Sequence, residues 1–148
     1  MSYDRKQFSD CIVRSLKARH GLYSGSALAL LLGTAAVESD FGVYLRQRGG
    51  GPALSAFQIE RPTFNWLQSV YGDRYGFADR EFEEIETDLD LAILVARLRY
   101  RVDPNPLPEP EDVIGLAAYW KRVYNTTEGA GSVEEFLAKF ARYVGLPS

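Results

Sequence analysis

Cysteine and histidine are almost missing from this sequence: its 148 residues include one of each, Cys11 and His20. A lone cysteine excludes an internal disulfide, and one histidine with one cysteine cannot build a His/Cys metal cage. No metal site is therefore expected, and no cofactor. The glycine run 49 to 51 lacks the Lys-Ser/Thr ending of a phosphate loop. Excess positive charge is also lacking. With a net charge of −3 and a pI near 5.2, no overall field draws nucleic acid or an anionic membrane to the chain. Long apolar runs are missing too: the opening "MSYDRKQFSDCIVRSLK" is broken by charges throughout, unlike a signal peptide, and no later run approaches membrane-spanning length. Neither nucleic acid nor membrane is expected as a partner.

Apolar residues make up 46% of the chain, enough for one domain over residues 1–148 with a real core. The expected fold class is mainly α. Phe8, Ile12, Val13 and Leu16 recur at helical spacing up to Gly21, and Ser24 or Ser26 can cap a helix through "ALALLLGTAAV". That second segment is apolar on nearly all sides, as a central helix wrapped by others would be. After a glycine-rich loop, the alternation in "ALSAFQI" predicts a short strand or extended segment, and Pro62 then opens a helix ending near Gly72. Thr87 and Asp90 have capping-box spacing ahead of a helix over 87–101. Prolines at four alternate positions make "DPNPLPEPED" a stiff connector, after which Asp112 opens "VIGLAAYWKRVY". Ser132 and Glu135 box the last helix, closed by Gly145 and Pro147.

Nucleophilic triads find no support, because His20 reads as a helix-end residue, Cys11 as a structural thiol, and no serine has a Gly-x-Ser-x-Gly setting. "NTT" at 125 to 127 matches a glycosylation acceptor, which carries no weight without a secretory signal. Carboxylate chemistry remains. Glu38 follows Ala35, Ala36 and Val37, precedes Phe41, and stands at the C-terminal end of a helix. Apolar neighbours and the negative helix end both disfavour its anion, so the acid form can persist near neutral pH. The competing reading is an ordinary solvated glutamate at a helix end.

Three pieces in order, "AAVESDFG", "GPALSAFQIERPT" and "LAAYWKRVYNT", resemble the soluble lytic transglycosylase branch of the lysozyme-like superfamily, in a version suggestive of a phage enzyme. The resemblance covers roughly residues 27 to 127. It implies a lysozyme-like α+β fold with a central buried helix, a small glycine-rich loop and strand region, and a helical second lobe. Glu38 takes the place of the catalytic acid. Ser39 would orient substrate or the carboxylate, Gln58 would hydrogen-bond sugar, and Tyr124 with Asn125 would shape the pocket. The chain departs from the family in having Ser55, Ala56 and Phe57 before Gln58, and "TTEGAG" after Tyr-Asn.

The resemblance further implies cleavage of the bond between N-acetylmuramic acid and N-acetylglucosamine, with Glu38 as acid and then base, closing a 1,6-anhydro ring. The partner would be bacterial peptidoglycan, met by a monomer made in the host cytoplasm and released at lysis or carried by a phage particle. Hydrolysis is the alternative, with a second carboxylate from Glu60, Asp40 or Asp73, ranked in favour of Glu60 because it would share the face of Gln58 on an extended segment. A catalytically inactive, glycan-binding virion component and a helical interaction domain unrelated to glycans are the other classes. Of the aromatics at 44, 57, 119, 120 and 124, Tyr124 is favoured for the cleft and Phe57 and Trp120 for packing. Arg46 and Arg48 are candidates for meeting anionic groups of the wall, against the plain alternative of a solvated loop.

Overall fold

The computed structural model describes residues 1–126 and 129–145. Six α-helices follow in order: α1 (Arg5–Lys17), α2 (Gly25–Ser39), α3 (Arg61–Tyr75), α4 (Leu89–Arg101), α5 (Val113–Tyr119) and α6 (Val133–Tyr143). A π-helical turn, Trp120–Asn125, continues α5, and a 3-10 turn, Phe82–Glu86, precedes α4. The mainly α class is what the chain adopts. Among the described residues the β component is limited to isolated bridges of Leu54 with Arg46 and Ile59.

Local chemistry sets most helix starts. Asp4, Ser24, Asp88, Asp112 and Ser132 each place a side-chain oxygen on an otherwise unpaired amide of the first turn. Asp88 replaces Thr87 as the cap of α4. Asp90 serves α1 instead, accepting from the Ser15 hydroxyl at 2.6 Å and pairing with Arg19 at 2.7 Å. Helix α3 passes the expected stop at Gly72 and ends at a left-handed Gly76. Gly72 is needed for another reason, since a Cβ there would lie 2.9 Å from the Ala78 Cα of the returning chain. Pro147, expected to close the last helix, and Thr127, the third residue of "NTT", lie outside the described residues.

The segment expected as a strand is a tight turn. Leu54 and Ile59 exchange both backbone hydrogen bonds at 2.9 Å, and the Ser55 hydroxyl accepts from the Phe57 amide within the loop. That local bond stabilises a turn over an extended strand, with Ser55 and Gln58 at positive φ and Phe57 pointing into the core. Apolar alternation here reflects one buried turn, and the period-two argument that put Glu60 on the face of Gln58 fails.

Helix α2 forms the centre, with α1, α4, α5 and α6 packed around it. Leu30, Leu31, Ala35 and Ala36 are fully buried, and burial of each leucine contributes about 1.5–3 kcal/mol. Thr34 donates to the Leu30 carbonyl, so the hydroxyl contact at 2.7 Å has Tyr100 of α4 as donor to Thr34. Gly33 sets the approach of α6. Any Cβ there would collide with the Phe136 ring and come within 3.0 Å of Phe140.

Candidate active site

Helix α2 ends where Asp40 and then Phe41 turn left-handed, with φ of 51° and 60°. The reversal leaves Glu38 in the last turn, facing a cleft of about 690 Å³. The loop carrying Tyr44 and Arg48, the 54 to 59 turn, the start of α3, Arg99 of α4, the π-helical turn and α6 complete its walls.

Glu38 meets the cleft on one side and protein on the others. Burial is the main cause that pushes its pKa from the ordinary glutamate range up to about 7. The Trp120 indole N–H donates to its Oε2 at 3.1 Å and opposes that shift, as does the charge of Arg99. The negative charge of Glu135 pushes in the same direction as burial. At neutral pH the carboxyl is thus poised between acid and anion, with a fixed donor beside it. That balance suits a group that must give a proton and take one back.

Gln58 and Tyr124 join Glu38 in the cleft wall, as do Asn125 and Glu60. Gln58 donates its amide nitrogen to the carbonyls of Tyr44 at 3.1 Å and Ser55 at 2.9 Å, which fixes a side chain that lines the cleft. The Tyr124 hydroxyl donates to the Phe57 carbonyl at 2.7 Å, so one hydrogen bond ties the π-helical turn to the 54 to 59 turn. Its own pKa is raised far above the tyrosine range, first by burial and then by the nearby Glu38. Asn125 accepts from Lys121 at 2.7 Å. Glu60 is exposed where α3 begins.

Ser39 has a different place from the one the resemblance implied. It is 1% exposed, donates to the Ala35 carbonyl at 3.0 Å and accepts from the Gly42 amide at 2.9 Å. The serine closes the helix end and does not line the cleft. Asp73 is exposed on α3, away from the cleft, and Arg46 pairs with Glu86 outside it. Arg48 does line the cleft, stacked 4.2 Å above the Tyr44 ring and paired with Asp40 at 3.2 Å. Lys139 of α6 pairs with the other oxygen of Asp40. Tyr119 donates to Asp103 on another face.

Four cleft groups escape a sequence reading: Arg99, Glu135, Lys139 and the indole N–H of Trp120. Trp120 is 1% exposed and packs on Phe136, yet its one polar atom reaches the acid. Arg99 donates to the Tyr124 carbonyl at 3.0 Å and to Thr63 at 3.3 Å, with its guanidinium 5.2 Å from the Tyr124 ring centroid. Glu135 reads as a capping residue, and the Ser132 half of that box is present. Among the described residues, no cluster of three or more His, Cys, Asp or Glu could hold a metal ion. No helix among them is long and apolar enough to cross a membrane. Comparison with protein-family models, characterised proteins and solved structures finds no match.

Proposed function

We propose that this chain cleaves the β-1,4 bond between N-acetylmuramic acid and N-acetylglucosamine in peptidoglycan, as a lytic transglycosylase. The carrying observation is Glu38, a carboxyl with a pKa of about 7 facing a cleft lined by polar and aromatic groups. Protonated Glu38 gives its proton to the glycosidic oxygen as the bond to the muramic C1 breaks. The resulting carboxylate, held by Trp120, takes the proton of the muramic C6 hydroxyl as that oxygen bonds to C1. A 1,6-anhydro end forms, and Glu38 regains its proton without water entering the balance. Gln58 accepts from an acetamido N–H or a sugar hydroxyl, and Tyr124 and Asn125 wall the subsite.

On this reading the fold is a lysozyme-like one with α2 as the central helix and the 43–59 region as a small lobe. The chain acts as a monomer on the cell wall, brought there by release at lysis or by a phage particle. Hydrolysis is the second reading, favoured by Glu60 and Glu135 lining the same cleft. Asp40 suits that role poorly, since Arg48 and Lys139 already engage both its oxygens. Purified protein incubated with peptidoglycan tests the assignment. Soluble muropeptides with anhydro ends, lost in Glu38→Gln, are expected; reducing ends would transfer the assignment to a hydrolase. Wall binding without cleavage would indicate a glycan-binding component.

A further inference from the structure

A second cavity of about 640 Å³ lies across α4 from the cleft. Successive helical residues turn by about 100°, so Arg97 and Arg101 share one face of α4 while Arg99 points into the cleft on the other. Arg74, near the end of α3, joins them, which places three arginines around one cavity. No carboxylate among the described residues forms a salt bridge with any of these three.

Arg97 is the unusual member. It is 7% exposed and its Nε donates to the Leu22 carbonyl at 2.8 Å, which fixes the guanidinium in place. No acceptor among the described residues meets its two terminal nitrogens. Burial pulls its pKa below the arginine range, and the charge of Arg101 acts in the same direction. A buried cation facing a like charge is unfavourable unless an anion completes the set. Asp103 also lines the cavity, but Arg122 at 3.2 Å and the Tyr119 hydroxyl at 3.0 Å already hold its carboxylate.

One neutral feature adds to the same field. Ser24 and Ser26 line the cavity at the start of the 15-residue α2, whose first amides point outward with the positive end of the helix dipole. Tyr71, Pro106 and Leu107 supply a small apolar part of the wall.

We propose that this cavity binds a phosphate group, carried by a phosphate ester or diester, with Arg97 as the fixed anchor and Arg74 and Arg101 closing on it. Planar guanidinium forks match phosphate oxygens, and a charge of −1 to −2 answers three arginines better than one carboxylate does. The site is separate from the cleft and stands whether or not the chain cleaves glycans.

Calorimetric titration of the full chain tests it, with inorganic phosphate and a short glycerol-phosphate oligomer as probes and chloride matched in ionic strength. One saturable site is expected for phosphate, weakened by about tenfold or more in Arg74→Gln/Arg101→Gln and unchanged in Glu38→Gln. The double variant leaves Arg97 in the core, and its thermal unfolding reports whether it still folds. Tighter binding of the oligomer supports a polymer-borne phosphate, and equal or weaker binding supports a free monoester. Absence of saturable binding, undiminished binding by a folded double variant, or preference for citrate over phosphate would each overturn the proposal.

Discussion

At the scale of single residues, the proposed activity and the pH dependence of stability both turn on Glu38. Glu38→Gln is expected to reduce muropeptide release by about 10²-fold to 10⁴-fold, the usual contribution of a positioned acid. With a pKa raised from 4.5 to about 7, the folded chain keeps a proton that the unfolded chain has released between those values. Stability contributed by this group is therefore present below pH 4.5 and lost as pH climbs toward 7. Glu38→Gln should raise Tm relative to the native chain at pH 8 and change it little at pH 4, which scanning calorimetry can check. Two neighbours should move the pKa in opposite directions. Trp120→Phe removes a donor that favours the anion, so the alkaline limb of the pH profile shifts up; Glu135→Gln removes a repelling charge, so the limb shifts down. NMR titration of Glu38 in each variant gives the same signs without relying on turnover. Glu38 stood out in sequence through apolar neighbours and a helix end, whereas the burial that raises its pKa, and the effects of Trp120, Arg99 and Glu135, come from segments distant in the chain. Trp120 was legible only as core, because one indole atom reaching across 82 positions leaves no periodic trace.

At the scale of elements, contact between α2 and α6 determines what surrounds the acid. Gly33→Ala should cost about 1–3 kcal/mol, read from urea unfolding, because the added methyl meets two phenylalanine rings. It should also push α6 and Glu135 outward and lower the Glu38 pKa, a change that loss of stability alone would not produce. Helices were the legible part of this chain, since caps and apolar spacing are written within a few residues of one another. Asp90 shows where such local reading stops: its spacing from Thr87 suits a cap, yet Ser15 of α1 and Arg19 just beyond it claim its carboxylate. The 54 to 59 turn shows the same in reverse. Its alternation resembles a strand, but Ser55 satisfies the Phe57 amide and bends the chain before a partner strand can form.

At the scale of the whole molecule, the cleft draws on residues from Val37 to Lys139, so it exists only when the entire helical body has closed. Mutations far from Glu38 but inside α2 should therefore act on site and stability together. Leu31→Ala is expected to cost about 2–5 kcal/mol in chemical unfolding. The π-helical turn imposes a different kind of constraint. Trp120 opens the turn and Tyr124 stands next to its end, one reaching the acid and the other tied to the Phe57 carbonyl. Exchanging an exposed residue between them, such as Arg122, leaves that spacing intact. Removing one would shift everything beyond it by one helical position, carrying Tyr124 off its partner while Trp120 stayed on Glu38. Between positions 120 and 125, then, the chain is held to a count more strictly than to an alphabet: a deletion there is expected to cost more than an exchange at the exposed Arg122.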